Sequence, residues 1–173
     1  TLDRIISQMN GESNNHFAEL LFRNVARSAG ASGSAEGANS LLGRFLSEKV
    51  HVAPDAVFAA DGSGLSPLDR VTPRSMVQLL GYAREASWGS VLEQSLPVAG
   101  ETETLRRRMR RTAAMGNLHA KTGTTNDVAS LGGYVTASNG ENLVFSAIYN
   151  GADRWRARDA IDRIGVALAS FSR

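Results

Sequence analysis

Three consecutive residues, Lys121, Thr122 and Gly123, combine groups that can bind and activate a peptide. They lie in a short strand-like run, residues 119–124. The lysine ammonium can hold a carboxylate or favour ionisation of a neighbouring hydroxyl, threonine can donate a hydrogen bond, and glycine lets a ligand backbone approach. On a sheet edge, this triplet predicts a surface that holds the carboxylate end of a peptide during acyl transfer. Taken alone, it is as compatible with a solvated lysine on an exposed strand.

Ser13, Asn14 and Asn15 form a second group of polar residues that could take part in such chemistry. They fall in or next to the connector between two predicted helices, where Ser and Asn are preferred N-cap residues. Helix capping is therefore the simpler interpretation of these residues alone. Their functional interpretation depends on the other segments of the chain.

The first hundred residues are predicted to be mainly helical, because apolar residues recur at spacings of three and four. Asn10-Gly11 is expected to stop the first helix, and Thr72 and Pro73 are expected as N-cap and first residue of another. The predicted helices cover residues 2–9, 14–28, 38–46, 73–85 and 88–96, and the arginine-rich stretch 103–112 is predicted to be a solvated helix.

The last third of the chain changes to strand-like patterns. Residues 119–124, 128–136 and 142–149 are rich in strand-forming residues, and Ser138-Asn139-Gly140 is a hairpin signal between the second and third runs. An amphipathic helix is predicted over 156–171. We therefore expect an antiparallel meander of three strands with a closing helix on one face.

Composition and charge restrict the function classes. With 173 residues, of which 42% are hydrophobic, the chain has the size of one domain, and its formal net charge of +2 does not indicate a nucleic-acid partner. The chain has no cysteine, and its three histidines show no metal-binding spacing, so neither a metal nor another cofactor is expected. No apolar run is long enough for a transmembrane segment, and the first residues do not resemble a signal peptide.

A set of segments in a fixed order identifies a family. In chain order they are Ser13–Asn15, Asp61–Ser66, Leu96–Gly100, His119–Thr124 and Leu131–Tyr134. Together they resemble the carboxy-terminal part of the low-molecular-mass class C (type 4) penicillin-binding proteins, which are serine D-alanyl-D-alanine carboxypeptidases and endopeptidases. The resemblance runs from about Leu2 to Phe171. It implies an α/β fold of the penicillin-binding and β-lactamase-like transpeptidase type, in an incomplete form: a helical cluster, a three-stranded antiparallel meander and a C-terminal helix.

The resemblance also implies roles for individual residues. Ser13 would relay a proton to the leaving amine, the amide of Asn15 would hold the peptide carbonyl, and the backbone N–H of Thr124 would form half of an oxyanion hole. Lys121 and Thr122 would bind the terminal carboxylate. The implied catalytic residues are thus Ser13, Asn15 and Lys121, and the implied substrate-binding residues are Thr122, Gly123 and Thr124.

One departure from the family pattern concerns the nucleophile. The family uses the serine of an S-x-x-K motif, whereas the two lysines of this chain, Lys49 and Lys121, are preceded three positions earlier by Leu46 and Leu118. We therefore expect residues 1–173 to be the downstream portion of a penicillin-binding domain whose upstream portion carries the nucleophile. The chain alone is expected to be inactive. A smaller departure is Glu103, where the family usually has glycine.

The expected substrate is the stem peptide of peptidoglycan, hydrolysed through an acyl-serine intermediate that β-lactams would also form. The expected partners are stem peptides, β-lactams and the upstream portion of the same protein, and the expected location is the cell envelope or periplasm. Two alternatives remain open. One is a noncatalytic peptidoglycan-binding module of the same fold, and the other is a β-lactamase, for which no water-activating base is identifiable.

Overall fold

The structure is a computed structural model that describes residues 1–172; Arg173, the last residue of the predicted domain 1–173, lies outside the described part. Five α-helices precede residue 100, in agreement with the predicted helical cluster. They are α1 (Leu2–Glu12), α2 (Asn15–Ser28), α3 (Ala35–Glu48), α4 (Pro73–Glu85) and α5 (Gly89–Ser95). Two short strands, β1 (Val57–Phe58) and β2 (Arg70–Val71), pair antiparallel between α3 and α4.

The start of α4 confirms the predicted cap. The Thr72 hydroxyl accepts a hydrogen bond from the Ser75 amide at 3.1 Å, the Ser75 hydroxyl accepts one from the Thr72 amide at 3.2 Å, and Pro73 occupies the first helical position. Each partner satisfies a backbone donor that the helix itself leaves unpaired. The sequence therefore determines where this helix begins.

The predicted end of α1 is wrong, because the helix continues through Asn10 and Gly11 to Glu12. Both residues are buried: the Asn10 amide donates to the Ser95 hydroxyl at 2.7 Å, and a side chain at position 11 would press against Glu103. Tertiary packing against α5 and the turn at Glu103 thus overrides a local stop signal. The helix ends at Ser13, whose φ of 56° and ψ of 50° are left-handed.

The three predicted strands are confirmed as β3 (His119–Thr124), β4 (Val128–Thr136) and β5 (Asn142–Asn150). They form an antiparallel sheet in the order β3-β4-β5, with Lys121 opposite Gly132 and Gly132 opposite Ser146. β3 is therefore at one edge of the sheet and β5 at the other.

The helix predicted over 103–112 is wrong. The structure has a short 3-10 helix, Glu103–Leu105, followed by turns in which Met109 and Arg111 have positive φ values of 54° and 60°. Leu105 and Leu118 are fully buried in the main core. The segment forms turns instead of an α-helix, because this path buries its apolar residues in the core and keeps most of its charged residues at the surface.

The last helix, α6 (Arg154–Ala169), packs against β4 and β5 and covers one face of the sheet. It starts two residues before the predicted position 156 and ends two residues before 171. Asp153 caps its N-terminus, where the Asp153 carboxylate accepts a hydrogen bond from the Arg156 amide at 3.1 Å. The opposite face meets α4 and α5, where the buried Tyr134 hydroxyl donates to the Leu80 carbonyl at 2.9 Å. The sheet thus lies between two helical layers. No helix within residues 1–172 has the length and apolar character needed to cross a membrane.

Candidate active site

The side chains of Lys121 and Ser13, which are 108 residues apart in sequence, are in direct contact. The Lys121 ammonium donates a hydrogen bond to the Ser13 hydroxyl at 2.7 Å and to its neighbouring carbonyl, that of Thr122, at 3.0 Å. Lys121 comes from the edge strand β3, and Ser13 comes from the connector between α1 and α2. The two segments singled out in the sequence therefore meet at one place.

In the connector between α1 and α2, one residue caps a helix and its two neighbours do not. Asn14 is the N-cap of α2, since its side-chain oxygen accepts from the Phe17 amide at 3.0 Å. Ser13 ends α1 and turns its hydroxyl to Lys121, so the capping interpretation applies to Asn14 and not to Ser13. Asn15 is the first residue of α2 and is not among the residues that line the cavity described below.

Lys121 is largely withdrawn from solvent without a carboxylate partner. None of the ion pairs among residues 1–172 includes it. Burial alone lowers the pKa of its amine below the usual value of 10.5. A lysine in such a position gives up its proton more readily than an exposed one, which is the property required of a residue that passes protons.

The outer edge of β3 is partly covered and partly open. Pro97 and Ala99 cover its first half: the Ala120 amide donates to the Pro97 carbonyl at 3.0 Å, and the Ala99 amide donates to the Leu118 carbonyl at 2.9 Å. Amide direction alternates along a strand, so the amides of Thr122 and Thr124 project from this same edge, away from β4. A second extended chain could pair with these two amides.

A cavity of about 300 Å³ opens at this edge. Its lining consists of Ser13, Thr104, Arg108, Thr122, Thr124 and Arg158. Because side chains alternate across a strand, Thr122 and Thr124 lie on the α6 side of the sheet and Lys121 lies on the helical-cluster side. The Thr122 hydroxyl donates to the Thr104 hydroxyl at 3.2 Å. The cavity thus combines hydroxyls, outward-facing amides and cations on both sides of one strand.

Gly123 is the predicted substrate-binding residue with the least room for a side chain. It faces Ser130 of β4 in the ladder, and a Cβ at position 123 would collide with the Ser130 hydroxyl oxygen. A side chain at position 123 would therefore require the Ser130 hydroxyl to rotate away. The absence of a side chain at Gly123 also leaves the strand edge accessible to another backbone.

Sequence reasoning missed three residues of the cavity: Thr104, Arg108 and Arg158. They come from the 3-10 helix, the following turns and α6, and Arg108 is held by a two-pronged contact with Asp162, with Nη2 at 2.6 Å and Nε at 3.1 Å from Oδ1. Arginine is common in both segments, so no local pattern marks the two that face the cavity. Among the described side chains, no group of three His, Asp or Glu residues is arranged to hold a metal.

The turn Asp61–Gly64 has a structural role in the described part of the chain. The Asp61 carboxylate accepts hydrogen bonds from the amides of Ser63 and Gly64, both at 2.7 Å, and from the Ser66 amide at 2.9 Å. None of these residues lines the cavity beside β3. The hydrogen bonds of Asp61 are thus internal to the turn that it stabilises.

Comparison with known proteins gives a family match over almost the full length. The profile of the D-Ala-D-Ala carboxypeptidase 3 (S13) family matches residues 1–171. The chain is 38% identical over 165 residues to a D-alanyl-D-alanine carboxypeptidase of Actinomadura sp. (strain R39), which covers 92% of this chain and 30% of the relative. It is 35% identical over 173 residues to carboxypeptidase DacB of Mycolicibacterium smegmatis, covering 95% of this chain and 37% of the relative. The chain thus spans about a third of the length of these relatives.

Solved structures show the same fold. Penicillin binding protein 4 (dacB) of Haemophilus influenzae, complexed with a β-lactam, matches with a TM-score of 0.85 and 25% identity over 98% of this chain and 42% of that chain. The TLA-3 extended-spectrum β-lactamase matches with a TM-score of 0.65 and 18% identity over 98% of this chain and 62% of that chain, a likeness of fold alone. The predicted penicillin-binding and β-lactamase-like fold is confirmed.

Proposed function

The chain belongs to the D-Ala-D-Ala carboxypeptidase 3 (S13) family, and we propose that it is the carboxy-terminal portion of a serine-type D-alanyl-D-alanine carboxypeptidase or endopeptidase. The proposed substrate is the stem peptide of peptidoglycan. The observation that carries this proposal is the 2.7 Å hydrogen bond from the Lys121 ammonium to the Ser13 hydroxyl, next to the open edge of β3. It supplies a proton path beside a surface on which a peptide can lie.

In the proposed reaction, a serine from the upstream portion attacks the peptide carbonyl and loses its proton, while the leaving amine gains one. Ser13 and Lys121 carry that proton, because they form a hydrogen-bonded pair at the cavity and burial has lowered the pKa of the lysine. Water then hydrolyses the serine ester. β-Lactams would form a stable ester with the same serine.

The substrate backbone is proposed to lie along β3. The outward amide of Thr124 would donate to the developing oxyanion, together with the amide of the upstream serine, and a lost donor of this kind raises the barrier by about 2.7–4 kcal/mol. Gly123 leaves room for the substrate backbone, Thr122 holds the carboxylate end with Lys121, and Asn15 contacts the peptide carbonyl. The substrate implies a location outside the cytoplasmic membrane, in the cell envelope or periplasm.

A noncatalytic peptide-binding module is the second candidate. It is favoured by one observation, the absence of S-x-x-K from the 173 residues. Such a module would use the same strand edge and cavity without forming an ester. Covalent labelling separates the two candidates.

The test is labelling by a fluorescent penicillin of the complete protein and of this chain alone. We expect the complete protein to form a covalent adduct and the isolated chain to form none, because the nucleophile is proposed to lie upstream. In the complete protein, Ser13→Ala should slow adduct formation by about 10²–10⁴-fold, the usual contribution of a positioned proton-transfer group.

Ser47→Ala is the matched control, since Ser47 is an exposed serine on α3 that does not line the cavity. Its labelling rate should equal that of the wild type. A complete protein that binds stem peptides but forms no adduct would favour the noncatalytic candidate. An adduct on the isolated chain would contradict the assignment of the nucleophile.

A further inference from the structure

The turns between the 3-10 helix and β3 carry a cluster of exposed arginines, here called the arginine cluster: Arg106, Arg107, Arg110 and Arg111. Six consecutive positions contain all four, so their Cα atoms lie within about 18 Å of one another. None of them takes part in an ion pair among residues 1–172, and none lines the cavity beside β3. Their guanidinium groups are therefore available at the surface.

Buried neighbours hold the arginine cluster in place. Leu105, Met109 and Ala114 belong to the main core and alternate in sequence with the two pairs of adjacent arginines. Because the core takes up these three side chains, the arginines between them face outward. The segment is fixed again at Arg108, whose guanidinium contacts the Asp162 carboxylate on α6. The cluster is thus presented by a backbone that the core determines.

The acidic residues that precede the cluster do not neutralise it. The Glu103 side chain lies against α1, where a Cβ at Gly11 would be 3.3 Å from the Glu103 Cγ. The Glu101 carboxylate lies beside Gly116, where an added Cβ would be 2.8 Å from Oε1. Neither acid forms an ion pair with the cluster among residues 1–172. The local charge therefore stays positive.

An exposed apolar side chain lies next to the last arginine of the cluster. The Arg111 amide donates to the Met115 sulfur at 3.4 Å, and Met115 is 42% exposed. The backbone of Met109 and Arg111 is left-handed, with φ values of 54° and 60°. Such strain in residues other than glycine is found most often at functional sites. The surface thus combines several cations with one apolar group.

We propose that the arginine cluster and Met115 form a docking surface for a bilayer that contains anionic phospholipids. Guanidinium groups give phosphate oxygens strong charge-assisted hydrogen bonds. Because the four cations do not converge on one pocket, they suit many spaced phosphates better than a single small anion. Met115 favours a bilayer over a soluble polyanion, since only a bilayer has an apolar layer beneath its phosphates.

Docking of this kind would also orient the candidate active site. Thr104 and Arg108 belong to the same segment as the cluster, and both line the cavity beside β3. The cavity would therefore be held close to the lipid headgroups. This contact goes beyond the proposed function and does not depend on the proposed reaction.

The test is flotation of this chain with vesicles in a density gradient. We expect wild type to float with phosphatidylcholine vesicles that contain about one third phosphatidylglycerol, and not with phosphatidylcholine alone. The variant Arg106→Gln/Arg107→Gln/Arg110→Gln/Arg111→Gln should lose at least about 100-fold in partition coefficient, because each arginine near an anionic surface contributes about fivefold. Met115→Gln, which keeps an acceptor for the Arg111 amide, should lose about fourfold, the effect of one buried CH₂ group.

The matched control removes four exposed arginines from other parts of the surface, in the variant Arg4→Gln/Arg27→Gln/Arg44→Gln/Arg74→Gln. It changes the net charge by the same amount and should float like wild type. Thermal unfolding checks that both variants are folded. The smaller variant Arg110→Gln/Arg111→Gln tests the same surface with less change to the chain, and it should lose about 25-fold.

Three results would overturn the proposal. The first is a wild-type chain that does not float with the phosphatidylglycerol vesicles or that floats equally with phosphatidylcholine alone. The second is an equal loss in the two variants that lack four arginines. The third is binding of soluble polyphosphate as tight, per phosphate, as binding of the vesicles, since the partner would then be a polyanion without a membrane. Failure of the proposed function would appear separately, as a complete protein that forms no penicillin adduct.

Discussion

The Lys121 ammonium, largely withdrawn from solvent and without a carboxylate partner, is an unusual arrangement for lysine. Lys121 compensates its lost hydration with two neutral acceptors, the Ser13 hydroxyl and the Thr122 carbonyl. Burial nevertheless lowers the pKa of the amine below its usual value, because withdrawal from water destabilises the charged form. The folded chain thus holds this lysine at a cost in stability, a trade of folding stability for a lowered pKa.

The pH dependence of stability should reveal this trade. Between the lowered pKa of folded Lys121 and the usual value of 10.5, the unfolded chain binds more protons at this position than the folded chain. The free energy of unfolding should therefore rise with pH across that window. In Lys121→Met this rise should be missing. The difference in the free energy of unfolding between the variant and wild type, measured by urea unfolding, should therefore change with pH.

Lys49→Met provides the comparison, since Lys49 is the other lysine of the chain and is exposed at the end of α3. This variant shows how the loss of an exposed lysine changes the free energy of unfolding and its pH dependence. Stability curves of wild type and Lys121→Met that run parallel from neutral pH to pH 10.5 would argue against a buried charge at position 121.

The pair Ser13 and Lys121 could be predicted from the sequence because each belongs to a short motif with a chemical meaning. Arg108 and Arg158 could not, since their motif-free segments contain other arginines that face solvent. What distinguishes them is the tertiary contact between the turns after Leu105 and α6. The roles of the six predicted site residues stay predictions, although the structure brings Ser13, Lys121, Thr122 and Thr124 to one cavity edge.

Strand β3 is positioned by its close approach to β4, and this depends on glycine. A Cβ at Gly133 would collide with the His119 carbonyl oxygen and lie 2.6 Å from the Ala120 Cα, both backbone positions that cannot move without shifting the strand. The close approach thus explains in physical terms why glycine occupies position 133, whereas a Cβ at Gly132 would meet its neighbours at ordinary contact distances of 3.5 Å or more.

Gly133→Ala should therefore destabilise the fold by about 1–3 kcal/mol, the usual cost of forcing extra volume into a packed site. Thermal unfolding with denaturant titration measures the effect. Gly43→Ala is the matched control, because Gly43 is an exposed residue of α3 with nothing within 4 Å of the added methyl group. There, alanine should stabilise by about 0.5–1 kcal/mol, since glycine is a poor helix former. Equal effects at both positions would show that β3 and β4 can separate freely.

The elements were predictable where local signals and packing agree. All three strands of the sheet and the capped start of α4 are confirmed. Local signals failed at Asn10-Gly11 and over 103–112, where buried contacts with α5 and with the core determine the path of the chain. Helical periodicity cannot distinguish a solvated arginine-rich helix from turns that send Leu105 and Met109 inward.

At the scale of the whole described chain, residues 1–172, β5 is an edge strand of the sheet with no strand paired to its outer side. At the two ends of the β4–β5 ladder, the Ala137 amide donates to the Glu141 carbonyl and the Gly151 amide donates to the Asp127 carbonyl, both at 2.7 Å. With the register of the ladder, these bonds place the odd-numbered β5 residues in hydrogen-bonded pairs with β4. The even-numbered residues, including Ser146, therefore point their amides outward. β5 contains no proline and no charged residue, so nothing in it opposes pairing with another strand.

This chain alone should consequently self-associate as its concentration rises, and Ser146→Lys should weaken the association, because a charged lysine on an edge strand disfavours strand addition. Sedimentation velocity over a range of concentrations measures both. Ser47→Lys adds the same charge at an exposed position of α3, and this variant should associate like wild type. A wild-type chain that stays monomeric at all concentrations, or equal self-association of the two variants, would contradict strand pairing through the β5 edge.

The short cover that Pro97–Ala99 forms over the start of β3 also limits how far a guest strand can extend. Beyond it, the amides of Thr122 and Thr124 project from the edge, so a peptide bound as proposed would pair with these two amides alone. A chain end or a short branch could use such an edge, whereas the middle of a long extended strand would find no complete ladder there.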